Sequence, residues 1–491
     1  MKQRHYCIVL TIFAVLLFFV GCQPAPKENV VISKNDGAFD VSAVQSETRT
    51  HGDGETFDIS YSNVFYSTDG SVNYYIDIDQ TQSSYDMPIV KVSPYYLTNL
   101  DAKRVATAFF PDAVFYEAEP ELKQHYSKSE IQEKIYRWSK YTNENALEDL
   151  YGEPIGDSYP EIVKKFVNAY TVKLETAPSE NPHEPCRWEM RKDSVYYLTG
   201  EELRDADMSG DSDAISTQFT VDGIPYCFTA TTRNKNDYKV NTLSCYIYDG
   251  ICPRNLDERI FAANLCRTEA PTKDQVDKIR AGTEQLLEMF DLGQWKINEC
   301  HVNTENYGDH LEYMVYINAV PVFNDVSAIK CEQITALRNQ EGYAPNHYLT
   351  DAEFFYSPNG ELISFSLFTP LTVQEIVNAN VKVLDMQDLL SRAEKHLQHT
   401  DAYNFYFGQY IRYFNEKLQC NVHVSELEYG LTRIRIKDTE DAYYYVPAIT
   451  LKGIVEYIGE ETNQTFYISE KPEILVTINA VDGTVINSTN E

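Results

Sequence analysis

Along most of the chain Tyr, Phe, Val, Ile and Thr alternate with polar residues, the two-residue period of half-buried strands. Asp-Gly or Asn-Gly pairs interrupt the alternation at Asp69-Gly70, Asp222-Gly223, Asn359-Gly360 and Asp482-Gly483. Such pairs favour the positive φ angles of tight hairpins, so each predicts a strand reversal. At the last, Ile474, Val476 and Ile478 share one strand face and Val485 returns on the partner strand.

Helical spacing is rarer. It predicts helices over Asp101 to Phe110 and Ser127 to Tyr141, the second opening with a capping box from Ser127 to Glu130. Thr272 and Gln275 form another box ahead of Val276, Ile279, Leu286, Leu287 and Phe290, with Gly293 as the stop. A further helix starts near Asp385 and carries Met386, Leu389, Leu390, Ala393 and Leu397 on one face. Each C-terminal helix precedes strands and a closing hairpin, which reads as a weak duplication. The expected fold class is α+β with mainly antiparallel sheet. The expected organisation is an N-terminal α+β region over 56–266 and a C-terminal region over 271–491, divided into modules at 271–380 and 381–491.

The first residues follow a different pattern. Lys2 and Arg4 precede thirteen residues, Ile8 to Val20, that are apolar except for Thr11. As a helix these rise roughly 20 Å, short of the roughly 30 Å hydrocarbon core. That is signal-peptide anatomy over residues 1–21, and it ends at Gly21-Cys22. Residues 22–55, polar and poor in aromatics, read as a flexible tether.

Charge narrows the partners. The 491 residues carry 74 acidic against 42 basic side chains, a net charge of -32. Such a surface repels nucleic acid and anionic headgroups, so electrostatics does not hold this chain on a membrane. Apart from Cys7 and Cys22 there are eight cysteines: Cys186, Cys227, Cys245, Cys252, Cys266, Cys300, Cys331 and Cys420. Disulfides, with Cys245 and Cys252 the nearest pair, and buried thiols are equal readings of their irregular spacing.

Phe19-Val20-Gly21-Cys22 resembles a bacterial lipobox, which implies a diacylglycerol on Cys22 and an address on the outer face of the cytoplasmic membrane. An ordinary secretory signal ending in a cysteine is the competing reading. Leu475 to Ile486, with Tyr445-Val446-Pro447-Ala448 before it, resembles the closing hairpin of PepSY-type modules. That resemblance implies regulatory binding at the cell envelope. The lipobox with Gln23-Pro24, then Pro88 to Val92, then Arg104-Val105-Ala106 and Phe109-Phe110-Pro111-Asp112-Ala113 is similar to a family of uncharacterised surface lipoproteins of Firmicutes. No activity comes with that likeness.

Few residues point to chemistry. Asp205, Asp207, Ser209 and Asp213 place oxygens at positions one, three, five and nine of a calcium loop, with Gly210 at the turn. Ser216 stands where a bidentate carboxylate belongs, which favours a solvated acidic loop, and calcium is the one cofactor considered. Tyr403, Phe407, Tyr410 and Phe414 recur at helical spacing, either as core or as a surface for a partner or ligand. His396 and His399 share a helix face but lack a third metal ligand nearby in sequence. His183-Glu184-Pro185-Cys186 has no second histidine, and its proline would break the helix that a zinc-protease motif requires. No nucleophile elbow or phosphate-binding glycine loop occurs. The first expectation is therefore a lipid-anchored envelope protein that binds another envelope protein without catalysis. A solute or glycan receptor comes second and an envelope hydrolase third.

Overall fold

The computed structural model describes residues 39, 41–47, 56–83, 86–118, 126–139, 159–180, 183–192, 212–235, 238–247, 265–266, 269–306, 311–330, 350–399, 418–436, 442–469 and 471–486. In chain order the elements begin with β1 (Thr56–Tyr66), β2 (Val72–Ser83), β3 (Ile89–Pro94), α1 (Asn99–Phe109), β4 (Tyr116–Glu117), α2 (Lys128–Ser139), α3 (Tyr159–Thr176), β5 (Arg191–Lys192), β6 (Ser212–Val221), β7 (Ile224–Lys235) and β8 (Tyr238–Ile247). The C-terminal half adds α4 (Lys273–Phe290), β9 (Trp295–Asn306), β10 (Leu311–Phe323), β11 (Val326–Ser327), β12 (Ala352–Tyr356), β13 (Leu362–Phe368) and β14 (Leu371–Asn378). It closes with α5 (Met386–His399), β15 (Leu418–Arg435), β16 (Tyr443–Gly459), β17 (Thr465–Ile468) and β18 (Glu473–Asn479). The protein is α+β, and among the described residues every strand pairing is antiparallel except β2 with β15.

Two sheets carry the fold. One runs β11-β10-β12-β13-β8-β7-β6-β4, with β9 on β10 and β5 on β6. Its register places Ile317, Phe354, Phe365, Cys245 and Phe228 in one row across five strands. That row faces α1 and α4, which add Val105, Ala106, Leu287 and Phe290 to the same core. At roughly 25 cal/mol per Å² of apolar surface, this burial is what holds the helices down. The second sheet runs β1-β2-β15-β16-β3-β14, with β17 and β18 on β16. Here α5 covers Ile76, Val422, Leu451, Val476 and Ile478 with Leu389, Leu390, Ala393 and Leu397.

The sheets do not divide at Ala270-Pro271. Strands β1 to β3 lie in the sheet of β15 to β18, and β13 pairs with β8. Val320, Phe323 and Val326 pack on Val90, Val92, Leu431 and Tyr445 where the sheets meet. Gly430 is needed at that crossing, because a Cβ there would stand 2.7 Å from the Ser327 carbonyl oxygen. Within the stretch read as a tether, Phe39, Val41 and Val44 pack on Ile89, Val381 and Ile434. Residues 39 and 41–47 therefore join the core, anchored by backbone bonds from Glu47 to Asn380 and from Lys382 to Gln45.

Both C-terminal modules share one plan. In the first, α4 is followed by the long hairpin β9–β10, then by β12 against β10 and β13 against β12. In the second, α5 is followed by β15–β16, then by β18 against β16 and Val485 bridged to Ile478. Each long hairpin has a bulge on its first strand, leaving Asn298 and Ser425 unpaired.

Candidate ligand cleft

A cavity of about 790 Å³ opens between the β6–β7 hairpin, the end of α1 and α2. Its floor forms because Phe110 follows the last turn of α1 while Phe219 and Tyr226 face each other across β6 and β7. Phe110 lies 4.9 Å from Phe219 and 4.8 Å from Tyr226, ring centre to ring centre. Burial pushes the Tyr226 hydroxyl pKa up, and the hydroxyl donates to the Leu362 carbonyl at 2.8 Å. The rim is the turn Asp222-Gly223, where φ angles of 50° and 81° let the strands reverse in two residues.

Polar residues line the same cavity. On α2, Glu130 closes the predicted capping box, taking the Ser127 backbone N–H at 2.6 Å and its hydroxyl at 2.7 Å. Its other oxygen pairs with His183 Nε2 at 2.9 Å. Burial opposes ionisation of Glu130, but the bonds from Ser127 and His183 outweigh it and hold the carboxyl below its usual range. At neutral pH the group is an acceptor that orients the imidazole, not a proton donor. The His183 ring also packs on Tyr116, centres 4.7 Å apart. Lys134, one turn along α2, sits 4.8 Å from the Tyr126 ring centre and 5.9 Å from that of Tyr170. The cleft is thus lined both by aromatic rings, of which Phe219 and Tyr226 are nearly buried, and by directional hydrogen-bonding groups.

Most residues singled out from sequence lie elsewhere. Cys22, the calcium-loop residues Asp205, Asp207 and Ser209, and the stripe Tyr403, Phe407, Tyr410 and Phe414 are outside the described residues. Asp213, the last of the calcium set, is in strand β6, opposite Lys192 and Thr232. His396 and His399 do lie in the last turn of α5. Among the described residues no group of three or more His, Cys, Asp or Glu side chains is placed to hold a metal. Cys266, Cys300 and Cys420 are free thiols, and burial pushes the pKa of each upward, Cys266 to about 12. Cys245 is buried in β8, while Cys252 and Cys331 are outside the described residues.

Sequence reasoning took Glu130 as a helix cap and set His183 aside as a failed metal motif. Their partnership spans 53 residues, and no local pattern announces it. The segment Phe109 to Ala113 lines the cleft.

A second polar cluster is buried near the meeting of the sheets. Lys330 Nζ donates to the Tyr316 hydroxyl at 2.8 Å, and that hydroxyl donates to Glu353 at 2.8 Å. Beside them Asn318 donates to Asp351 at 2.9 Å, leaving Asp351 Oδ1 and Asn318 Oδ1 buried without a hydrogen bond. Burial pushes Asp351 up to about 7, reinforced by Glu353 and opposed by Lys330.

No family model matches the chain, and no curated protein does. Among solved structures, the chain is similar to an uncharacterized protein from Eubacterium rectale, at 11% identity over 87% of this chain and 93% of that one. The TM-score is 0.31, which carries no argument about fold or activity. No helix among the described residues is long and apolar enough to cross a membrane.

Proposed function

We propose that this chain is a lipoprotein held on the outer face of the cytoplasmic membrane through Cys22, and that it acts there by binding a ligand in the cleft beside α2. The carrying observation is the cleft: a cavity within the size range of small-molecule sites, about 300–1,000 Å³, lined by aromatic rings and by the Glu130–His183 pair. Rings and fixed hydrogen-bonding groups lining one cavity suit a cyclic, hydroxylated ligand such as an oligosaccharide. Glu130, held ionised, favours binding over acid catalysis.

The test is a melting screen of the full chain against cell-wall fragments and oligosaccharides. A true ligand at a hundred times its dissociation constant adds about 2.7 kcal/mol, and His183→Ala or Tyr116→Ala abolishes the gain. A screen without stabilisation, or stabilisation that survives both substitutions, defeats this assignment.

A second reading, docking of another envelope protein, draws on the edge strand β14. Val373 and Ile376 are half exposed there and line a groove of about 420 Å³ with Trp295 and Phe323. Crosslinking in intact cells, with Cys22→Ala as the unanchored control, recovers a membrane protein only if this reading holds.

A further inference from the structure

Among the described residues no helix lies on the outward face of the second sheet. The register that buries Ile59, Phe65, Ile76 and Ile78 beneath α5 turns the alternate positions of β1 and β2 to solvent. One row there is Val64, Tyr75 and His423, and the next is Tyr66, Asn73, Asn421 and Glu456. Tyr66 is 62% exposed and Tyr75 is 37% exposed, although Tyr75 stacks on His423 at 4.9 Å and 12°. Asn73 donates to Asn421 and Asn421 to Glu456, which fixes the amides between the rings. Large exposed rings on a rigid sheet, held by neighbours rather than covered by them, are a recognition feature.

Charge gives the chemistry of the occupant. Further along the same face stand Asp77, Asp79 and Glu426, all exposed, and none has a hydrogen-bond or ion-pair partner among the described residues. On the outward positions of β1, β2, β15 and β16 the one Lys or Arg is Lys452, which is bonded to Glu428 at 2.7 Å. The face is therefore aromatic at one end and acidic at the other, with Lys452 opposite Glu426 as the one cation beside three carboxylates and Glu428, in a chain of net charge -32. Repulsion disfavours an anionic occupant, while cations gain both the carboxylates and the ring faces. Alternate residues of a strand lie about 6.7 Å apart, the spacing of Asp77 and Asp79 and also of alternate side chains in an extended peptide.

We propose that this face docks an extended basic peptide segment with Arg or Lys at every second position. The carboxylates of Asp77, Asp79 and Glu426 pair with its cations, and Tyr66 and Tyr75 take a guanidinium against their rings. This surface is distinct from the α2 cleft, so it stands or falls separately.

The probe is a fluorescent decapeptide of alternating Arg and Gly, titrated against the full chain in detergent and read by anisotropy. Neutralising the face with Asp77→Asn, Asp79→Asn and Glu426→Gln weakens binding tenfold or more, and Tyr66→Ala alone weakens it several-fold. A charge-matched control on α4, Asp274→Asn, Asp277→Asn and Glu288→Gln, changes it less than twofold. All substitutions are at exposed positions, and unchanged melting shows that the variants fold. Equal loss from both triple variants would mean general attraction to an acidic protein and would overturn the proposal. So would an alternating Ser and Gly peptide that binds as well as the basic one, or binding of neutral oligosaccharide that needs Tyr66 while the basic peptide fails to bind.

Discussion

The two C-terminal modules, built to one plan, differ at matching positions. In both, the residue seven places after the helix N-cap lies against the glycine of the closing turn: Ile279 on Gly360 in the first, Arg392 on Gly483 in the second. Counting from the bulges, Ala319 of the first corresponds to Gly453 of the second, Asn318 to Lys452, and Asp351 to Pro472. The frame of helix, bulged hairpin and turn is the shared part. The buried carboxylates sit at different places in that frame, Asp351 in the first module where the second has Pro472, and Glu428 in the second beside Lys452, so the frame does not dictate where its polar groups lie.

The largest expected effect tests that difference. Asp351 has a native pKa near 7 against 3.8 when unfolded, so the native state binds the extra proton between those values. Its contribution to stability falls as pH rises through that window and levels off above it, a loss of about 4 kcal/mol. We expect Asp351→Asn to match the parent near pH 4 and to exceed it at pH 8 in urea unfolding. Parallel curves for the two proteins would remove the buried carboxylate from the comparison.

Next comes the bulge. A Cβ on Gly453 would stand 2.5 Å from the His423 carbonyl oxygen, a backbone atom with no room to yield. Gly453→Ala should cost about 3 kcal/mol, whereas Ala319→Gly, at the matching site, should cost about 1 kcal/mol. Denaturant midpoints give both, and similar losses would mean that the two bulges are not equivalent.

The smallest effect concerns the closing turns. Gly360 and Gly483 have φ of 94° and 76°, so alanine strains either by about 1–2 kcal/mol. Arg392 is the far end of a flexible chain and can swing away from a new methyl, so the two losses should agree within about 0.5 kcal/mol. A much larger loss at Gly483 would show that Arg392 is fixed.

Local signals in the sequence were legible where their cause is local. The four Asx-Gly pairs reverse strands, Thr272 and Gln275 cap each other, and Asp385 caps α5. Missing from the sequence reading are α3 and the Asn324-Asp325 turn, left-handed at both residues without a glycine. Strand partners were not legible either. Alternation tells which face of a strand is buried but not which strand it meets, so the β2–β15 and β13–β8 pairings were hidden. The same limit hid the cleft, whose wall comes from α2 and the 183–192 segment and whose floor comes from β6 and β7.

Folding order follows from the parallel pairing of β2 with β15. Asn73 meets Asn421 across 348 residues, so the second sheet cannot close until nearly the whole chain is present. Loop closure of that length makes late assembly the expected kinetic pattern, with the first strands waiting, unpaired on one side, for the last. For a chain proposed to cross a membrane before it folds, that delay is useful: the N-terminal segment stays threadable for as long as the C-terminal strands are still being made.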